Sequence, residues 1–205
     1  MSRDKLEPAL GWASVPRTRL APPTIEERGI LFRTASKLSS RFGRPDVPDV
    51  LSALHKNPKI FWAWLFFASR LMPFGNLSAR DREKVILRTA WNCRSRYEWG
   101  QHVEIALSVG VSDEEIVRVT QGALGFINAK DQALMNACDD LYSQKCLSDT
   151  TWASLESHYS EKLLIEIMML IGHYEMIAGF LNSAGLRLEP AIERQLQAFH
   201  ERISV

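Results

Sequence analysis

Cysteine is scarce: Cys93, Cys138 and Cys146 are the three in 205 residues, and their spacing fits neither a disulfide framework nor a zinc pattern. An excess of charge of one sign is also missing. With 25 Lys and Arg against 24 Asp and Glu the net charge is +1, and no basic block stands out, so nucleic acid is not an expected partner. The amino-terminal stretch lacks a signal-type apolar run, which makes the cytoplasm the expected compartment. Long apolar runs without charge are absent too: Ile60–Ala68 is too short to cross a membrane, and Leu163–Leu181 carries Glu166, His173 and Glu175. Both are expected to be buried helices, with no membrane partner. No alternation of apolar and polar residues is long enough for a sheet, and the expected class is all-α.

What is present is enough apolar material, 46% of the chain, for one core. Residues 1–24 hold Pro8, Pro16, Pro22 and Pro23 and read as an extended arm, whose Trp12 and Leu20 are free to dock on a neighbouring surface. Residues 25–205 read as a single helical domain. Helical spacing runs from Ile25 to Phe42 and stops at Gly43-Arg44-Pro45, and a short helix is expected over Val47–His55. Asn57-Pro58 opens an aromatic-rich helix that Pro73 and Gly75 end. Ser78 with Asp81 starts the next, which continues through Trp91, with a kink expected near Asn92–Ser95 and a further helix from about Ser95 to Leu107. Ser112 caps a short helix with acids in its first turn, and Lys130–Gln144 and Ser148–His158 follow. The longest helix is expected at Glu161–Ala184 with Gly185 as its C-cap, then a polar one opened by Pro190.

The segment from Arg82 to His102 concentrates the chemistry. Glu98 and His102 are four residues apart, so on a helix the carboxylate lies one turn before the imidazole on the same face, where a hydrogen bond would raise the basicity of the ring. Such a pair can move protons near neutral pH, but the same spacing is common on solvated helix faces. Ser95 and Trp91 share that face, offering a hydroxyl and an aromatic wall, and Glu83 on the preceding helix reaches the pair if the chain folds back near residue 94. Arg88, Arg94 or Arg96 could hold a substrate carboxylate. His173 lies seven residues after Glu166 in a very apolar helix, as a pocket or interface residue or a satisfied core histidine. No tight ligand motif supports a metal site.

These residues resemble the carboxymuconolactone decarboxylase superfamily, which includes the AhpD-like alkylhydroperoxidases. The resemblance covers roughly Leu54–Leu188 and rests on Asn57-Pro58, Ser78 through Glu83, Tyr97-Glu98-Trp99 with His102, Gly110 through Ile116, Gly172-His173-Tyr174 and Leu181-Asn182. It implies an AhpD-like helical domain that forms trimers or hexamers and takes a small-molecule substrate without a cofactor. AhpD-like peroxidases use a Cys-x-x-Cys pair before a His and a Glu on the preceding helix; Glu83 and His102 match that Glu and His, but Ser95 and Glu98 stand where the thiols would be. The decarboxylase branch carries a Glu four residues before its His, which is the arrangement of Glu98 and His102. The resemblance therefore implies a decarboxylase-like lyase acting on a small carboxylated or carbonyl compound. Glu98, His102 and Glu83 are its catalytic candidates, and Ser95, Tyr97, Trp91 and His173 its substrate-binding candidates. Two alternatives stay open: an alkylhydroperoxidase-like antioxidant protein using Cys93, and a small-ligand-binding module without catalysis.

Overall fold

Polar caps punctuate the chain: Asn57, Ser78, Ser112, Asn128 and Ser148 each accept a backbone N–H from the first turn that follows. The computed structural model describes residues 6–24, 27, 30 and 47–203. The helices, in order, are α1 (Asp49–Leu54), α2 (Pro58–Leu71), α3 (Ala79–Asn92), α4 (Arg96–Ser108), α5 (Asp113–Thr120), α6 (Ala129–Gln144), α7 (Asp149–Glu156), α8 (Glu161–Ala184) and α9 (Pro190–Ile203), with a 3₁₀ turn at Gly122–Gly125. There is no strand among the described residues, and the protein is all-α. The helix expected over residues 25–42 falls almost wholly outside the described residues.

The fold is organised around α3, which packs on α4, α5, α6 and α8. Val85, Ile86, Leu87 and Ala90 are fully buried, and so is much of the charge on this helix. Charge can stay in an interior only if it is paired. Asp81 takes Lys130, Lys84 lies between Glu115 and Asp131, Arg88 forks onto Asp139, and Arg82 donates to its neighbour Glu83. The expected kink is a full break: α3 ends at Asn92, Arg94 takes a left-handed conformation (φ 53°), and α4 returns along α3.

Helix α8 is long and apolar enough to cross a membrane by length and composition alone. Its inner face, including Leu164, Ile167, Leu170 and Ile171, packs into the core, and Gly185 closes it in the left-handed conformation (φ 69°). The arm at residues 6–24 docks rather than floats. Trp12 packs against Trp91 and Trp99 at 5.5 and 6.0 Å, Ala13 N–H donates to the Arg94 carbonyl, and Arg19 and Leu20 N–H groups donate to that of Ala184.

Candidate active site

The break at Arg94 brings two helices side by side, and their facing carboxylate and imidazole meet. His102 Nδ1 on α4 lies 2.7 Å from Glu83 Oε2 on α3, and Glu83 is completely buried. The other Glu83 oxygen accepts from Arg82 Nε at 3.0 Å. A carboxylate can only accept here, so Nδ1 carries the hydrogen and Nε2 is the ring nitrogen left for other work. Tyr174 of α8 packs edge-on against the imidazole at 5.0 Å, fixing the ring from a second side.

His102 and Glu98 both line a cavity of about 410 Å³ between α2, α4 and α8, within the size range of small-molecule sites. Its walls are largely apolar and aromatic, with Trp64, Met72, Tyr97, Tyr174, Ile177 and Leu181 among them. Glu98 is 2% exposed and neither of its carboxyl oxygens has a hydrogen-bond partner. Desolvation by burial raises its pKa well above the usual carboxylate range, which favours the protonated form. His173 also lines the cavity, stacked on Trp64 (5.9 Å, 15° between planes), with its Nδ1 unpartnered. Desolvation, and secondarily the neighbouring His102, lowers its pKa to about 4. The cavity thus holds a fixed imidazole, a buried carboxyl without a partner and a second imidazole whose Nδ1 is unpartnered.

The structure rearranges several expectations. Glu98 and His102 share the face their spacing requires, yet they do not hydrogen-bond: Nδ1 is taken by Glu83 across the helix pair. Ser95 and Trp91 do not line the cavity. Ser95 is fully buried at the start of α4, and Trp91 packs with Trp12 and Trp99 on the side where the arm docks. Tyr97 contributes its ring to the wall, but its hydroxyl donates to Glu189 at 2.6 Å and is committed there. Glu166 does not partner His173. It accepts the N–H groups of Asn76 and Leu77 and anchors the loop before α3.

None of the three arginines offered for a carboxylate reaches the cavity. Arg88 pairs with Asp139, Arg96 with Glu193, and Arg94 donates to the Leu10 carbonyl. Arg82, which spacing did not single out, is the one that touches the catalytic candidates, through Glu83. Its signal was its position: next to Glu83 in a helix buried on nearly every side, an arginine must find a carboxylate. Trp64 was legible only as part of an aromatic helix. Gly100 has a packing reason, since a Cβ there would come within 2.5 Å of Leu188.

Residues 58–136 match the model of the carboxymuconolactone decarboxylase family. No curated protein matches the chain in sequence. Among solved structures, the apo debrominase Bmp8 superposes with a TM-score of 0.73 at 16% identity, over 90% of this chain and 100% of that one. The AhpD-core, peroxidase-related protein from Ralstonia eutropha JMP134 gives 0.74 at 17% identity, over 87% and 96%. A peroxidase-related protein from Silicibacter sp. TM1040 gives 0.71 at 14%, over 88% and 94%. At such identities the likeness is one of fold, and it covers a larger share of the chain than the segment that the family model matches. The sequence match over residues 58–136 and the shared fold together support membership in the carboxymuconolactone decarboxylase and AhpD-like superfamily.

Proposed function

We propose that this protein is an acid/base enzyme that moves protons beside the carbonyl of a small compound held in the cavity between α2, α4 and α8. The observation that carries the reading is the pairing of His102 Nδ1 with fully buried Glu83 beside a buried, unpartnered Glu98. Two carboxyl groups in different surroundings take different roles. Glu83, held by Arg82, orients the imidazole and steadies it when Nε2 gains a proton. His102 Nε2 removes a proton from the carbon next to the substrate carbonyl. The electron pair moves onto the carbonyl oxygen, and Glu98 donates its proton there or hydrogen-bonds the developing charge. Every step is a proton transfer, so the reading calls for no cofactor.

The thiol alternative has less support. Cys93 is absent from the cavity wall, and burial, with smaller contributions from Glu98 and Glu175, pushes its thiol up to about 12, where almost no thiolate exists at neutral pH. Homo-oligomerisation as a trimer or hexamer fits the outer face of α8, where Ile165, Met169 and Met176 stand exposed at helical spacing; sedimentation velocity measures it. Deuterium uptake tests the reaction. A panel of small cyclic ketones and lactones in D₂O, followed by NMR, is expected to exchange hydrogen at the carbon beside the carbonyl. His102→Asn should slow that exchange by about 10²-fold or more. No uptake by the parent protein, or undiminished uptake by the variant, removes the proposal and leaves a non-catalytic ligand-binding module.

A further inference from the structure

Among the described residues the cavity wall contains no lysine or arginine, and the guanidinium of Arg82 behind it is already matched by Glu83. An anion placed there would lose its water without gaining a fixed counter-charge, which is costly. The wall holds three buried polar groups without a partner, Trp64 Nε1, His173 Nδ1 and the carboxyl of Glu98, and of these Glu98 offers two oxygens side by side. Both oxygens of Glu98 lack a partner, and a buried polar group without one is the exception in folded proteins. A neutral carboxyl offers an O–H donor and a carbonyl acceptor side by side, so its natural complement is a group with an acceptor and a donor on adjacent atoms. Around it stand aromatic faces, with Trp64 and His173 stacked near parallel and Tyr97 and Tyr174 in the same wall. Flat apolar rings suit such surroundings.

We infer that the cavity selects an uncharged, flat ring compound with a lactam-like edge, one acceptor beside one donor, which pairs with the carboxyl of Glu98, and that it rejects carboxylates. This rests on the reading of the cavity as the substrate site and narrows its chemistry: within the carbonyl-bearing class, the carbonyl sits next to an N–H or O–H, and the substrate arrives without charge. His102 Nε2 then faces the ring flank next to that edge, where a proton is to be moved.

Three probes of similar size decide it at pH 7.5 by ligand-observed NMR titration of the full chain: 2-quinolone, which has the lactam edge; naphthalene, which has no polar group; and 2-naphthoate, which is anionic. The expected order is 2-quinolone tightest, naphthalene at least tenfold weaker, and 2-naphthoate weakest. Glu98→Leu should bring the quinolone-to-naphthalene ratio near one, whereas Glu98→Gln, whose amide keeps a donor and an acceptor, should retain most of it. Binding of 2-naphthoate as tight as that of 2-quinolone overturns the assignment, as does a ratio that Glu98→Leu leaves unchanged. The ranking in the parent protein stands without any variant, should Glu98→Leu fail to fold. If none of the probes binds, both this assignment and the substrate-site reading fall. If 2-naphthoate binds best while His102→Asn still abolishes deuterium exchange, only the substrate chemistry falls.

Discussion

Replacing Glu98 by Gln is the sharpest test of the state in which this carboxyl is held. The amide has nearly the same shape and never ionises. In the parent protein, desolvation by burial keeps the native carboxyl protonated well above its ordinary value of 4.5, whereas the unfolded chain releases the proton near that value. Between the two, the native state binds one more proton than the unfolded state, so stability is greatest at low pH and falls as pH rises. The slope for one group is at most about 1.4 kcal/mol per pH unit. From pH 5 to pH 7 the stability of the parent relative to Glu98→Gln should therefore fall by up to about 3 kcal/mol, stopping where the native carboxyl itself titrates. Urea unfolding at several pH values, with equal m-values confirming the same exposed surface, gives the difference directly. The comparison with the variant matters because His173 acts in the opposite direction over the same range and cancels in the difference. A difference that stays flat from pH 5 to pH 7 would show that Glu98 ionises as an ordinary carboxylate, and the assignment of an acid to the cavity wall would be refuted.

Three further outcomes follow from the same geometry. Glu83→Gln leaves one oxygen for two buried donors, Arg82 and His102, and should lower stability by about 3 kcal/mol in urea unfolding; unchanged stability would mean that the pair is not formed. The His173 ring should stay neutral in ¹³C-edited NMR until the pH approaches about 4, because its native pKa lies below the ordinary 6.5. Its contribution, about 3 kcal/mol, is then present above pH 6.5 and lost as the pH falls towards 4, and a ring titrating near 6.5 would contradict its burial. A disulfide reagent at pH 8 should label the exposed Cys146 quickly and Cys93 and Cys138 slowly, since burial raises both of the latter thiols; fast labelling at Cys93 would reopen the thiol chemistry.

Much of the fold was legible because helix ends obey local rules. Ser112 caps α5 as its position predicted, completing a capping box with Glu115, and Gly185 ends α8 as its position predicted. The character of α3 was harder to read. Asp81, Arg82, Glu83, Lys84 and Arg88 look like a solvated face in one dimension, and only the partners supplied by α5 and α6 turn them into an interior network. Pairing across the fold is a tertiary fact, and no window of the sequence contains it.

The candidate site shows the same division more sharply. The four-residue spacing correctly puts Glu98 and His102 on one face, because helical geometry alone decides that. It does not decide which acceptor the imidazole takes. Nδ1 has one hydrogen to give, and the break at Arg94 lays α4 along α3 so that Glu83 receives it. Glu83 then has two donors and Glu98 has none, and the proposed roles of the two rest on this inequality. A carboxylate that receives two donors suits the part of an orienting group, and a carboxyl that receives none suits the part of an acid. On the proposed reading, acid and orienter differ in the number of donors that the tertiary structure brings to each, which is why residues fifteen positions apart in one motif-rich segment could be listed from the sequence but their proposed roles could be argued only from the fold.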